Sequence, residues 1–145
     1  MRSILTLAIC LVSLGSAAPA RATAQSYRVV VHASNPTSSM SREALARVYL
    51  KKQTTWKAGT QVAVVDQSPK SSVRAQFSMQ VLGRDVPTMK NYWQQSLFSG
   101  RGVPPIEQPS DEQVLSFVAS NQNAIGYVSA AAPLPAGVKA IEITD

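Results

Sequence analysis

The sequence predicts an α/β fold, a small mixed sheet flanked by about four helices, behind a short N-terminal targeting segment. Two observations carry this. Runs rich in β-branched residues alternate with segments whose apolar residues recur at helical spacing, the pattern of layered α/β domains. No repeat, low-complexity tract or linker interrupts residues 25–145, so they read as one domain.

The first strand is Tyr27–Ala33, β-branched and closed by the turn residues Ser34-Asn35-Pro36. A polar loop, Ser34–Ser39, follows. Ser41 can cap a helix that opens with Arg42-Glu43, the glutamate favoured at the positive end of the helix dipole. Leu45, Val48 and Tyr49 give that helix a buried stripe, and Lys51 and Lys52 suit its negative end. Gln61–Asp66 is a second strand, apolar enough to be covered on both faces. A helix carrying Val73, Phe77 and Val81 at four-residue spacing then runs to about Gly83. Pro87 opens a third helix with Met89, Tyr92, Trp93 and Leu97 on one face. After a Gly- and Pro-rich loop, Ser110 and Gln113 form a capping box for a fourth helix with Val114, Leu115 and Val118. Ala124–Val128 and Val138–Ile143 complete the strands.

Residues 1–24 stand apart. Arg2 precedes an apolar run, Ile4–Leu14, too short to span a bilayer as a mature helix. Gly15, Pro19 and the small-residue site Ala22-Thr23-Ala24 complete the pattern of a secretory signal peptide, cleaved after Ala24. Cys10 lies inside the run behind bulky Ile9, not at a lipidation site. The expected product is soluble, not membrane-embedded after cleavage, periplasmic or secreted, and free of cysteine. Loss of Arg2 and Arg21 lowers its formal charge from +6 to +4.

Composition narrows the function. One Cys and one His exclude a disulfide framework and the common zinc clusters, so no metal or cofactor is expected. His32 has no carboxylate close in sequence to orient it, and no Gly-x-Ser-x-Gly elbow is present, so no serine-hydrolase relay forms and no enzyme is expected. The cations are scattered rather than interleaved with aromatics, which argues against nucleic acid as partner.

Three segments point further. They are Met40–Leu50 followed by Thr54-Thr55-Trp56, the strand–turn–helix Val62–Phe77, and Val114–Val128 ending in Ala124-Ile125-Gly126-Tyr127-Val128. Together they resemble the periplasmic phosphate-binding, PstS-like family of ABC-transporter substrate-binding proteins. The resemblance implies a periplasmic-binding-protein-like domain over residues 25–145. Family members are bilobal, more than twice this length, and hold phosphate between the lobes, so it implies a single lobe here. Their N-terminal Gly-rich anion loop has no counterpart in this chain. Their ligand turn resembles Arg-Ser-Asp-Gly-Ser-Gly-Thr, where this chain reads Gln67-Ser68-Pro69-Lys70-Ser71-Ser72-Val73. Ser68 and Ser71 carry over; the Arg and Asp of the charge pairing do not.

The candidate ligand-binding residues follow. A helix N-terminus suits an oxyanion, and Ser68, Ser71 and Ser72 add hydroxyls there, with Lys70 and Arg74 adding charge. Ser71 serves equally as a plain helix cap. Ser34 and Asn35 would lie at the same sheet edge if the first two strands are neighbours, or form an ordinary polar connection. Arg101, between Gly100 and Gly102, could grip an oxyanion two-pronged or stand free in water. His32 is read as structural, Tyr92 and Trp93 as core. The expected function is an exported substrate-binding-protein-like domain for a small oxyanion, phosphate first, related to ABC uptake with a permease as partner. The alternative is a one-lobe periplasmic accessory or sensor module that binds another envelope protein and has no transport role.

Overall fold

The computed structural model describes residues 25–145; the expected signal peptide, residues 1–24, lies outside the described residues. The elements are β1 (Tyr27–His32), β2 (Ser39–Ser41), α1 (Arg42–Tyr49), β3 (Ala63–Gln67), α2 (Ser72–Phe77), α3 (Val86–Phe98), β4 (Ile106–Gln108), α4 (Asp111–Ser120), β5 (Ala124–Ser129) and β6 (Val138–Thr144). α2 runs straight into a π-helical turn, Ser78–Leu82, which Gly83 ends in a left-handed conformation (φ 64°). The α/β class, the mixed sheet and the four helices are as expected.

The six strands form one sheet in the order β2-β6-β1-β5-β3-β4. β1 is antiparallel to both of its neighbours, and every other pairing is parallel, so β1 alone runs against the rest. Alternate residues of β1 feed two cores. Val29 and Val31 join Leu45, Tyr49, Phe77 and Tyr127 beneath α1 and α2, while Val30 joins Val65, Val114, Val118 and Val128 beneath α4. The helices thus cover both faces, which is why the central strands are nearly all apolar.

The first core is aromatic. Phe77 stacks on Tyr127 with centroids 3.8 Å apart and planes 2° from parallel, and Tyr27 meets Phe77 edge-on at 5.3 Å. The buried Tyr49 hydroxyl donates to the Val65 carbonyl at 3.0 Å. On the other face α4 rides close to the sheet. A Cβ built on Gly126 would lie 2.7 Å from Val65 Cγ1 and 2.8 Å from Val114 Cγ1, so only glycine fits there.

One expectation is corrected, and one condition is not met. Leu97, assigned to the apolar face of α3, is 50% exposed, as is its neighbour Phe98 at 92%. The helix buries only Met89, Trp93 and Ser96. β1 and β3 are not neighbours, because β5, late in sequence, inserts between them.

Candidate functional site

β3, β4 and β5 are parallel and end at one sheet edge, where α2 and α4 begin. Ligands of α/β sheets usually sit at such an edge. The Ser68–Ser71 turn lies here. Ser68 N–H donates to the Gln108 carbonyl at 2.9 Å, tying the turn to β4, and Ser71 N–H donates to the Ser68 carbonyl at 2.9 Å.

Beneath the turn is a buried polar network. Gln67 is 3% exposed; its Nε2 donates to Asp111 Oδ1 at 2.7 Å and to the Tyr127 carbonyl at 3.0 Å. Its Oε1 accepts from Ser71 Oγ at 2.8 Å. Ser71 Oγ in turn accepts from Arg74 N–H at 3.3 Å, so Ser71 is the N-cap of α2 and both its capacities are used. Arg74 is buried and points inward. Its guanidinium donates to the Gln67 carbonyl at 2.6 Å and pairs with Glu107 at 2.7 Å and Asp66 at 3.3 Å. Asp66 also accepts from Gln67 N–H at 2.8 Å and from the Tyr127 hydroxyl.

Burial raises the Asp66 carboxyl above its ordinary value, outweighing the attraction of Arg74. Burial, and then Asp66 beside it, push the Tyr127 phenol far above its ordinary range, so it stays a donor. Burial would lower the Arg74 guanidinium, but Asp66 and Glu107 more than offset this and keep it charged. The charge expected of Arg74 at the ligand turn is therefore spent on two carboxylates. What the turn presents outward is the exposed Ser72 hydroxyl, the exposed Lys70 ammonium, the half-buried Ser68 hydroxyl and the first N–H groups of α2.

Ser34 and Asn35 are elsewhere. β1 runs against β3, so the loop after β1 and the turn after β3 lie at opposite ends of the sheet, not at a common edge. Ser34 Oγ is 2.7 Å from His32 Nδ1, and Asn35 Oδ1 accepts from Thr37 N–H at 2.9 Å. Both residues line a cavity of about 670 Å³ with Thr37, Ser39, Trp56 and Asn123. Trp56 Nε1 donates to the Asn123 carbonyl at 3.0 Å.

Arg101 occupies a third place. It lines a groove of about 310 Å³ with Lys51, Lys52, Tyr92, Trp93 and Ser96. Its Nε donates to Ser99 Oγ at 2.8 Å. Sequence reasoning assigned Lys51 and Lys52 only to the α1 dipole; their adjacency to Arg101 is tertiary, and the one local signal was the Lys-Lys pair itself. Trp93 is buried, as expected, and Tyr92 is half-buried with its hydroxyl 3.4 Å from the Leu50 carbonyl. Among the described residues no cluster of His, Cys, Asp and Glu could hold a metal ion, and no helix is long and apolar enough to cross a membrane.

The family model for a PBP superfamily domain matches residues 23–143. Among curated proteins none matches. Three solved structures share the fold. A phosphate-bound protein from Clostridium perfringens, assigned as a phosphate ABC transporter substrate-binding protein, is 22% identical with a TM-score of 0.65, over 81% of this chain and 44% of its own. An ABC-type phosphate transport receptor from Vibrio cholerae is 24% identical with a TM-score of 0.60, over 81% and 46%. PstS from Borrelia burgdorferi is 10% identical with a TM-score of 0.55, over 83% and 47%. The chain spans less than half the length of each.

Proposed function

Because this chain belongs to the PBP superfamily domain family, we propose that it is an exported substrate-binding-protein-like domain that holds a small oxyanion, phosphate first, in relation to ABC uptake. The family match over residues 23–143 carries the reading. The similar structures from C. perfringens and V. cholerae, a phosphate-bound protein and a phosphate transport receptor, support phosphate as the first ligand to test. Ser68, Ser72, Lys70 and the opening N–H groups of α2 are the contacts we assign to it, with Ser71 and Arg74 as positioning residues. A site of a few hydroxyl and N–H donors with one exposed cation supports affinity no tighter than roughly the micromolar range.

Isothermal titration of inorganic phosphate, sulfate and acetate into the protein tests this. Phosphate should bind, and Ser72→Ala with Lys70→Gln should weaken it about tenfold. Absence of heat and of thermal shift with millimolar phosphate in low salt would refute it. Export is tested by osmotic-shock release and by mass spectrometry showing Gln25 as the first residue.

The second reading, an accessory module that binds an envelope protein, draws on one observation. Leu97 and Phe98, adjacent at the end of α3, stand 50% and 92% exposed, large apolar side chains turned to water.

A further inference from the structure

We propose that the groove between the end of α1 and α3 is a second anion site, built for a polyvalent oxyanion of the pyrophosphate type. It shares no lining residue with the Ser68–Ser71 turn, and three cations line it: Lys51, Lys52 and Arg101. No carboxylate lines it, and none of the three belongs to an ion pair among the described residues. Arg84, which does not line the groove, holds the Tyr92 ring of its wall by a cation–π contact, its guanidinium 5.5 Å from the ring centroid. Arg42, Arg47 and Arg74 each have a carboxylate partner; other lysines such as Lys57, Lys70 and Lys139 are also outside any ion pair among the described residues, but none of them lines this groove. Cations gathered without a counter-charge repel one another, and an anion in the groove relieves that repulsion.

The backbone at Lys51 is the second observation. Lys51 has φ 57°, and among the described residues it is the one non-glycine with positive φ. This left-handed position ends α1. Lys51 N–H donates to the Val48 carbonyl at 3.1 Å, and Lys52 and Gln53 N–H donate to the Arg47 carbonyl at 2.8 and 3.1 Å. Helices usually place glycine at such a position, because a Cβ there is disfavoured. The turn at Lys51 is held by these three backbone hydrogen bonds against the conformational cost of a Cβ in that region. Arg101 supplies a planar fork that suits a phosphate-type group, and the lysines supply point charges. A groove of about 310 Å³ has room for two linked phosphate-type groups, and a polyvalent anion gains more there than a monovalent carboxylate.

The test is a titration of the protein with pyrophosphate, with acetate as the monovalent control, at low salt and at about 0.3 M salt, where screening is short-ranged. We expect binding at low salt, at least tenfold weaker at high salt. Lys51→Gln, Lys52→Gln and Arg101→Gln should each weaken it about fivefold, and the triple variant should abolish it. Lys51→Gly should raise Tm and weaken binding together, which a merely helix-ending lysine would not do. Lys139→Gln, which removes a cation that lines neither the turn nor the groove, should leave pyrophosphate binding intact. Wild-type-like binding by the triple variant, equal binding of acetate, or no binding at all would overturn the proposal. If phosphate fails at the turn while pyrophosphate still responds to the groove variants, the turn assignment alone falls.

Discussion

Arg74→Met isolates the buried network behind the ligand turn. The substitution keeps most of the side-chain volume and removes three interactions: the 2.6 Å bond to the Gln67 carbonyl and the pairs with Asp66 and Glu107. Glu107 is half in water and resolvates easily, so its loss is small. The Gln67 carbonyl loses a charged donor in a buried place, worth about 1–3 kcal/mol. Asp66 is left as a buried carboxylate without its cation, a defect that costs about 3–5 kcal/mol when nothing compensates. Asp66 keeps the Tyr127 hydroxyl and Gln67 N–H, which places the expected total at about 3 kcal/mol at pH 7. For a domain of this size that is a fall in Tm of roughly 10 °C. The pH dependence is the sharper readout. The Asp66 pKa is already raised in the fold, so the folded protein holds that proton more tightly than the unfolded chain. Its contribution is therefore full below the ordinary aspartate range and is lost as pH rises through the folded value. Without Arg74 the folded value rises further, so the variant should lose less stability at pH 4 than at pH 7. Asp66→Asn in the Arg74→Met background should recover part of the loss at pH 7. Urea denaturation at both pH values measures this. A loss under about 1 kcal/mol at pH 7, or an equal loss at both, would refute the account.

Gly126→Ala should destabilise by about 1–3 kcal/mol, because the new methyl meets Val65 and Val114 inside contact distance; unchanged urea midpoints would show that α4 can shift away. Ser71→Ala should cost about 1–2 kcal/mol through loss of the α2 cap and of the Gln67 partner, with Ser71→Asp retaining most of the capping; calorimetric Tm values check both.

The elements that announced themselves were those whose patterns are local. The apolar runs at Tyr27–Ala33, Gln61–Asp66, Ala124–Val128 and Val138–Ile143 all became strands, within two residues at each end. Ser41, Ser71 and Ser110 all cap the helices they precede. β2 and β4 were invisible for a physical reason. Ser39-Met40-Ser41 and Ile106-Glu107-Gln108 have neither the length nor the alternation of a strand, and are extended only because β6 and β3 present edges to pair with. Leu97 fits a helical stripe perfectly well in sequence; that nothing covers it is decided by the rest of the fold.

The site divides the same way. Ser68, Ser71, Ser72 and Arg74 follow one strand directly, so their grouping could be read from spacing. Whether Ser34 and Asn35 join them depends on strand order and direction, and β5, nearly a hundred residues after β1, decides that by inserting between β1 and β3. The direction of Arg74 was equally hidden. From sequence it is a cation one turn into a helix beside a serine-rich turn; in the fold it faces Asp66 behind it and Glu107 on a strand no local pattern revealed. Gln67, where the related turn carries an arginine, completes the same closure. It is neutral, it binds Asp111 and Ser71, and an arginine in its place would put a second buried guanidinium beside Arg74. The residues that neutralise the turn are thus spread over β3, α2, β4 and α4. The groove where Arg101 meets Lys51 and Lys52 has three cations and no carboxylate among its lining residues, and there a strongly charged anion gains free energy by binding.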